Sequence, residues 1–97
     1  MRIDFDPEKS RINAVQRGLP FELAAYFEFD TALINEDTRR NYGEIRYSAI
    51  GKIHERLHVL AFKETPWGIR VISLRKANFR EVCRYESATN TPQPRAH

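Results

Sequence analysis

Apolar and polar positions change rhythm several times along this chain, and each change marks an element. Ile3 and Phe5 alternate with charged neighbours, which predicts a short strand over residues 2–6. Asp6-Pro7-Glu8 then reads as a helix start. The aspartate caps, the proline suits the first helical position, and the glutamate favours the positive end of the helix dipole. That helix runs to Arg17 and stops at Gly18. Pro20-Phe21-Glu22 opens a second helix, with Phe21, Ala24, Ala25 and Phe29 as its apolar face. Further on the period shortens. Ala32-Leu33-Ile34 is a short strand candidate ahead of a polar run. Over residues 44–52, Ile45, Tyr47 and Ala49 alternate with Arg46 and Ser48. Residues 51–55 suit a hairpin turn, and 57–62 are almost wholly apolar, as in a strand covered on both faces. Pro66 and Gly68 punctuate a second turn before a strand over 69–74. A helix over 77–87 places Ala77, Glu81 and Tyr85 on one face. The predicted class is α+β. A small antiparallel sheet, made of a three-stranded meander plus one or two accessory strands, packs with two N-terminal helices and one C-terminal helix.

With 97 residues there is room for one domain, placed at 1–87, and residues 88–97 read as a disordered tail with two prolines and almost nothing apolar. The apolar share of 41% is enough for a core without covalent staples. No apolar run approaches the ~18 residues of a membrane span, and the first residues carry no signal-peptide stretch. A single cysteine, Cys83, makes no internal disulfide, which fits a reducing compartment and hence the cytoplasm. Charge divides unevenly: residues 1–37 hold four bases and eight acids, whereas residues 38–97 hold twelve bases and five acids. The basic part suits a polyanion partner.

One motif demands weighing. His54-Glu55-Arg56-Leu57-His58 spells H-E-x-x-H, which on a helix sets two imidazoles one turn apart for a single zinc, with the glutamate to activate water. In a strand, positions four apart lie about 13 Å from each other, too far for one ion. Gly51, the two-sided apolar run and the β-branched Ile50, Ile53 and Val59 favour the strand. A zinc metallopeptidase is therefore the lesser alternative, and the expected cofactor and metal content is none.

Basic residues gather late. Arg70, Arg75, Lys76, Arg80 and Arg84 face one acid, Glu81, within residues 70–84, and Arg39, Arg40 and Arg46 precede them. Guanidinium forks match phosphate oxygens in pairs. Tyr47, Tyr85, Phe79 and Trp67 are interleaved, and aromatic faces stack on unpaired bases. Phe79 and Trp67 read better as core.

The ordered phrases of the chain resemble the BrnT family of toxins from bacterial type II toxin–antitoxin systems. They are Phe5-Asp6-Pro7-Glu8-Lys9 with Asn13, then Gly18, Phe21, Ala24 and Asp30. Asp37-x-Arg39 and Tyr42-Gly43-Glu44-x-Arg46 follow, then Gly51, Arg56-Leu57 and Val59. Arg70-Val71-Ile72-Ser73-x-Arg75-Lys76-Ala77 with Glu81 and Tyr85 closes a resemblance covering about residues 3–87. It implies a RelE-like fold and a ribonuclease that cuts mRNA without a metal and stops translation. It also implies neutralisation by a cognate ribbon-helix-helix antitoxin, through which alone the chain meets DNA. The family usually carries Lys-His-Gly where this chain has Gln16-Arg17-Gly18.

Metal-free RNA cleavage needs a base for the 2′-hydroxyl proton, cations for the pentavalent phosphate and an acid for the 5′-oxygen. Arg75 is the expected charge stabiliser, Glu81 the expected base and Tyr85 the expected acid or orienting group. Arg40, Arg46, Arg70, Lys76 and Arg80 are the expected RNA contacts. Arg70 and Arg75 have opposite parity, so a regular strand points them to opposite faces. For Glu81 the competing expectation is a local ion pair with Arg80 or Arg84. The alternative to an enzyme is a non-catalytic RNA-binding or protein-interaction module on the same scaffold.

Overall fold

The computed structural model describes residues 1–89. Five strands make one sheet: β1 (Arg2–Asp4), β2 (Leu33–Glu36), β3 (Tyr47–Ile53), β4 (Arg56–Thr65) and β5 (Gly68–Lys76). Their order across the sheet is β1-β5-β4-β3-β2. β3, β4 and β5 form the expected antiparallel meander. Both accessory strands exist. β2 runs antiparallel to β3, and β1 pairs parallel to β5, so the sheet is mixed rather than wholly antiparallel. Gly68 is what lets β1 lie so close, because a Cβ there would collide with the Arg2 carbonyl.

Helix α1 (Pro7–Arg17) has the predicted ends: the Asp6 side chain accepts from the Glu8 amide, and Gly18 closes it in the left-handed region at φ 71°. Its buried residues are polar, Ser10 and Asn13. Asn13 Nδ2 donates to the carbonyls of Leu19 at 2.7 Å and Leu74 at 2.8 Å, which ties α1 to the edge of β5 beyond the reach of β1. Ser10 Oγ accepts from the Phe21 amide at 2.8 Å. Buried polar groups with good partners fix one docking geometry where a greasy face would slide.

The second predicted helix is different. Residues Phe21–Tyr26 and Phe29–Thr31 are two 3₁₀ segments rather than one α-helix. A three-residue turn buries Phe21, Ala24 and Phe27 along one line and leaves Ala25 exposed. The C-terminal helix α2 (Phe79–Thr89) runs two residues past its predicted end, so Ala88 and Thr89 are helical. Residues 90–97 of the expected tail lie outside the described residues.

The sheet separates two apolar clusters. The larger joins Leu19, Phe21, Ala24 and Phe27 to Ala49, Ile53, Leu60, Phe62, Ile69, Val71 and Leu74. The smaller, on the opposite face, sets Tyr85 of α2 against Ile50 and Val59, with Leu33, Leu57 and Ala77 beside them. Trp67 and Phe79, expected in the core, are 70% and 82% exposed. Each sits where the chain turns, Trp67 between β4 and β5 and Phe79 at the start of α2. No helix of the described residues is long and apolar enough to cross a membrane.

Candidate functional site

A bulge in the sheet decides what β5 presents. Ala61 pairs with Ser73 but Phe62 pairs with Val71, so Ile72 is an extra residue. Ile69 and Val71 face the large core, and so does Leu74, three positions on rather than two or four. The alternation slips by one. Arg70 and Arg75 therefore share the face opposite that core, correcting the expectation of opposite faces. Five strand positions still separate them, about 16 Å along the strand.

Arg75 sits where β5 ends and α2 begins. Its Nη1 donates to Glu81 Oε1 at 2.8 Å and its Nη2 to Oε2 at 2.7 Å. The local partner expected for Glu81 was Arg80 or Arg84; the one found is Arg75. Glu81 also caps the start of the helix. Its backbone amide donates to Asn78 Oδ1 and its Oε1 accepts from the Asn78 amide, both at 2.9 Å, a reciprocal capping box. One carboxylate thus caps the first turn of α2 and aims a guanidinium.

These bonds set the charge state. Arg75 above all, with the Asn78 amide helping, holds the Glu81 carboxyl at about 2 despite the opposing effect of burial. The Arg75 guanidinium is pushed up by the same bonds. A carboxyl with a lowered folded value stabilises the fold above its unfolded value, near 4.5, and loses that contribution as pH falls toward 2. Stability should hold above about pH 5 and drop below it. Glu81→Gln should make the drop shallower in urea unfolding at about pH 6 and pH 3. Superimposable losses in the two proteins would show that the pair contributes nothing.

The pair borders a cleft of about 430 Å³ on the α2 face of the sheet. Ser48 and Ser73 rise from its floor, Arg84 closes one side, and Asp37 and Arg39 stand on another. Arg39 is clamped much as Arg75 is: Nε donates to Asp37 Oδ1 at 2.9 Å and Nη2 to Oδ2 at 2.8 Å. Tyr42 Oη adds a bond to the same carboxylate at 3.1 Å. Asp37 is accordingly held far below the usual carboxylate range, chiefly by Arg39. Arg39 was counted in the basic surface but not among the expected RNA contacts. Its signal was the Asp37-x-Arg39 phrase, whose two-residue spacing lets an arginine fold back on a carboxylate.

The other expected residues scatter. Tyr85 is 6% exposed in the smaller core and lines a different cleft, a larger one of about 870 Å³ with Lys52, Arg56, Leu57 and the acids Asp30, Glu55 and Glu86. That cleft mixes charges and gathers no aligned pair. Arg46 is tied to Glu44 at 2.8 Å and lies over the Tyr42 ring, 4.1 Å from its centre. Arg40, Arg70, Lys76 and Arg80 are exposed. Lys76 pairs across to His58 and shares the parity of Leu74, so it belongs to the other face of the sheet. Arg17 reaches the Leu74 carbonyl at 3.5 Å, one residue from Arg75.

The H-E-x-x-H residues lie on a hairpin. His54 occupies its tip at φ 57° with its ring 5.4 Å from that of Tyr26. His58 is buried in β4, its Nδ1 2.8 Å from the Arg56 carbonyl, and burial lowers its pKa. The two imidazoles are not on one helical face, and the zinc reading falls with the helix it required.

A model of the family described as the ribonuclease toxin, BrnT, of type II toxin–antitoxin systems matches residues 5–81. The match covers most of the chain, from just after β1 into α2, and the chain is a member of the BrnT family. No curated protein and no solved structure matches it. Membership in this family brings with it an RNA substrate and an antitoxin partner.

Proposed function

We propose that the chain is a RelE-like, metal-independent endoribonuclease that cuts mRNA in the cytoplasm, inhibits translation and is held inactive by a ribbon-helix-helix antitoxin. The observation that carries this reading is the Arg75–Glu81 pair, 40% and 13% exposed at the side chains, bordering an open cleft lined by two more arginines. Glu81 offers both its oxygens to the end of the guanidinium. The Nε edge of Arg75 makes no hydrogen bond among the described residues and is free for a phosphate oxygen. Negative charge grows on that phosphate as the 2′-oxygen attacks, and a donor already aimed at it costs no reorganisation. Catalysis on this reading rests on charge stabilisation, with solvent taking the 2′-hydroxyl proton and protonating the 5′-oxygen as its bond to phosphorus breaks.

The reading reassigns two roles. A carboxyl near 2 is a poor acceptor for a hydroxyl proton at neutral pH, so Glu81 acts as a positioning residue for Arg75. Tyr85 supports α2 from the core. Phe79, exposed two residues before Glu81, is the better aromatic for stacking on a base. Arg80 and Arg70 extend the positive surface around the cleft.

A non-catalytic RNA-binding module is the second reading. It is favoured by one observation: no histidine is among the residues that line the cleft. Cleavage of a labelled single-stranded RNA by the purified chain in excess EDTA decides between them. The expected products end in 2′,3′-cyclic phosphate. Binding without cutting, on free RNA and on translating ribosomes alike, would select the module.

A further inference from the structure

We propose that Asp37 and Arg39 form a second anion subsite, which takes the phosphate next to the one that Arg75 holds. The inference rests on the reading of the cleft as an RNA site and adds a contact that this reading does not require. Its basis is the edge that each guanidinium leaves open. Arg75 gives its Nη1–Nη2 end to Glu81 and keeps its Nε edge. Arg39 does the reverse: it gives its Nε–Nη2 edge to Asp37 and keeps its Nη1 end, which makes no hydrogen bond among the described residues. Both residues line the same cleft, and Arg39 is 81% exposed.

Three features mark Arg39 as prepared for a ligand. Its carboxylate is 6% exposed at the side chain, is ionised at any working pH and is itself held by Tyr42 Oη, so the fork has a fixed base. The Arg39 amide donates to Asp37 Oδ1 at 3.2 Å, which fixes the backbone beneath the fork. Arg39 and Arg75 also repel each other across the cleft, a repulsion that an anion between or beside them removes. A dinucleoside monophosphate carries one phosphate and reaches one fork. A longer strand reaches both. The subsite therefore selects single-stranded oligonucleotides over the shortest substrates.

The test uses the full chain and a fluorescein-labelled RNA hexamer, 2′-O-methylated throughout so that it cannot be cut. Arg39→Ala should weaken binding about tenfold and reduce the slope of log affinity against log salt by about 0.7, the share of one phosphate on a single strand. Hexamers carrying one uncharged methylphosphonate at successive linkages locate the contact. Arg39→Ala should lose its effect at one linkage, and Arg75→Ala at the neighbouring one. Affinity for the dinucleoside monophosphate should be unchanged in Arg39→Ala. Arg39→Lys, which keeps the charge and loses the fork, should restore the salt slope but not the full affinity. The subsite is overturned if Arg39→Ala binds the hexamer as the parent does, or if both variants respond to the same linkage. If the parent chain binds no hexamer, the RNA reading of the cleft falls as well, and that outcome is separate from either.

Discussion

Arg75→Ala is expected to slow RNA cleavage by about 10²–10³-fold, the loss typical when one aimed donor to a developing anion is removed. The folded state should survive, because the side chain lies at the rim of the cleft and is 40% exposed. Circular dichroism and elution volume should match those of the parent chain. The variant also frees Glu81, whose carboxyl should rise from about 2 toward its ordinary value near 4.5. Arg75→Lys sharpens the test. It retains one charge, cannot present a fork to Glu81 and to phosphate at once, and should recover only a small part of the rate. Full activity in Arg75→Ala would place the chemistry in another part of the molecule.

Leu60→Ala is expected to cost about 3 kcal/mol, within the range for a buried leucine. Leu60 is fully buried on β4, paired with Ala49 on one side and Leu74 on the other. A domain of this size has roughly 5–15 kcal/mol in all, so the variant should unfold at markedly lower urea and lose about 10 °C or more in melting temperature. A shift equivalent to less than about 1 kcal/mol would mean that neighbours close over the gap. That in turn would contradict a core in which the meander carries the main packing load.

How far these features could be read from the sequence depends on the range of the signal. The ends of α1 were legible because Asp6-Pro7 and Gly18 act within one turn of themselves. The hairpin at residues 54–55 was legible against a literal metalloprotease motif, since β-branched neighbours and Gly51 weighed for strands. The 3₁₀ segments were not, because Phe21, Ala24 and Ala25 suit an α-helical stripe until the core decides which of them it takes. The shared face of Arg70 and Arg75 was hidden by Ile72, an apolar strand residue like any other, whose status as a bulge depends on its partner strand. For the site, the local pairing of Glu81 was anticipated but its partner was not. Arg80 and Arg84 lie on the same helix within reach, yet the end of β5 places Arg75 closer in direction. Trp67 and Phe79 were misplaced because aromatic character argues for burial, while position at a turn or helix start overrides it.

The parallel pairing of β1 with β5 has a bearing on when the molecule becomes active. Residues 2–4 find their partners only at residues 68–70, so closing the sheet joins segments more than sixty positions apart. Long-range pairings of this kind form late and slowly, whereas the β3–β4–β5 meander needs only neighbours. Arg75 and Glu81 follow the pairing segment in the chain. Synthesis therefore delivers Arg75 and Glu81, and with them one side of the cleft that they border, only after the pairing segment. For a member of a ribonuclease toxin family, that order keeps the cleft incomplete while the strands ahead of Arg75 are still emerging.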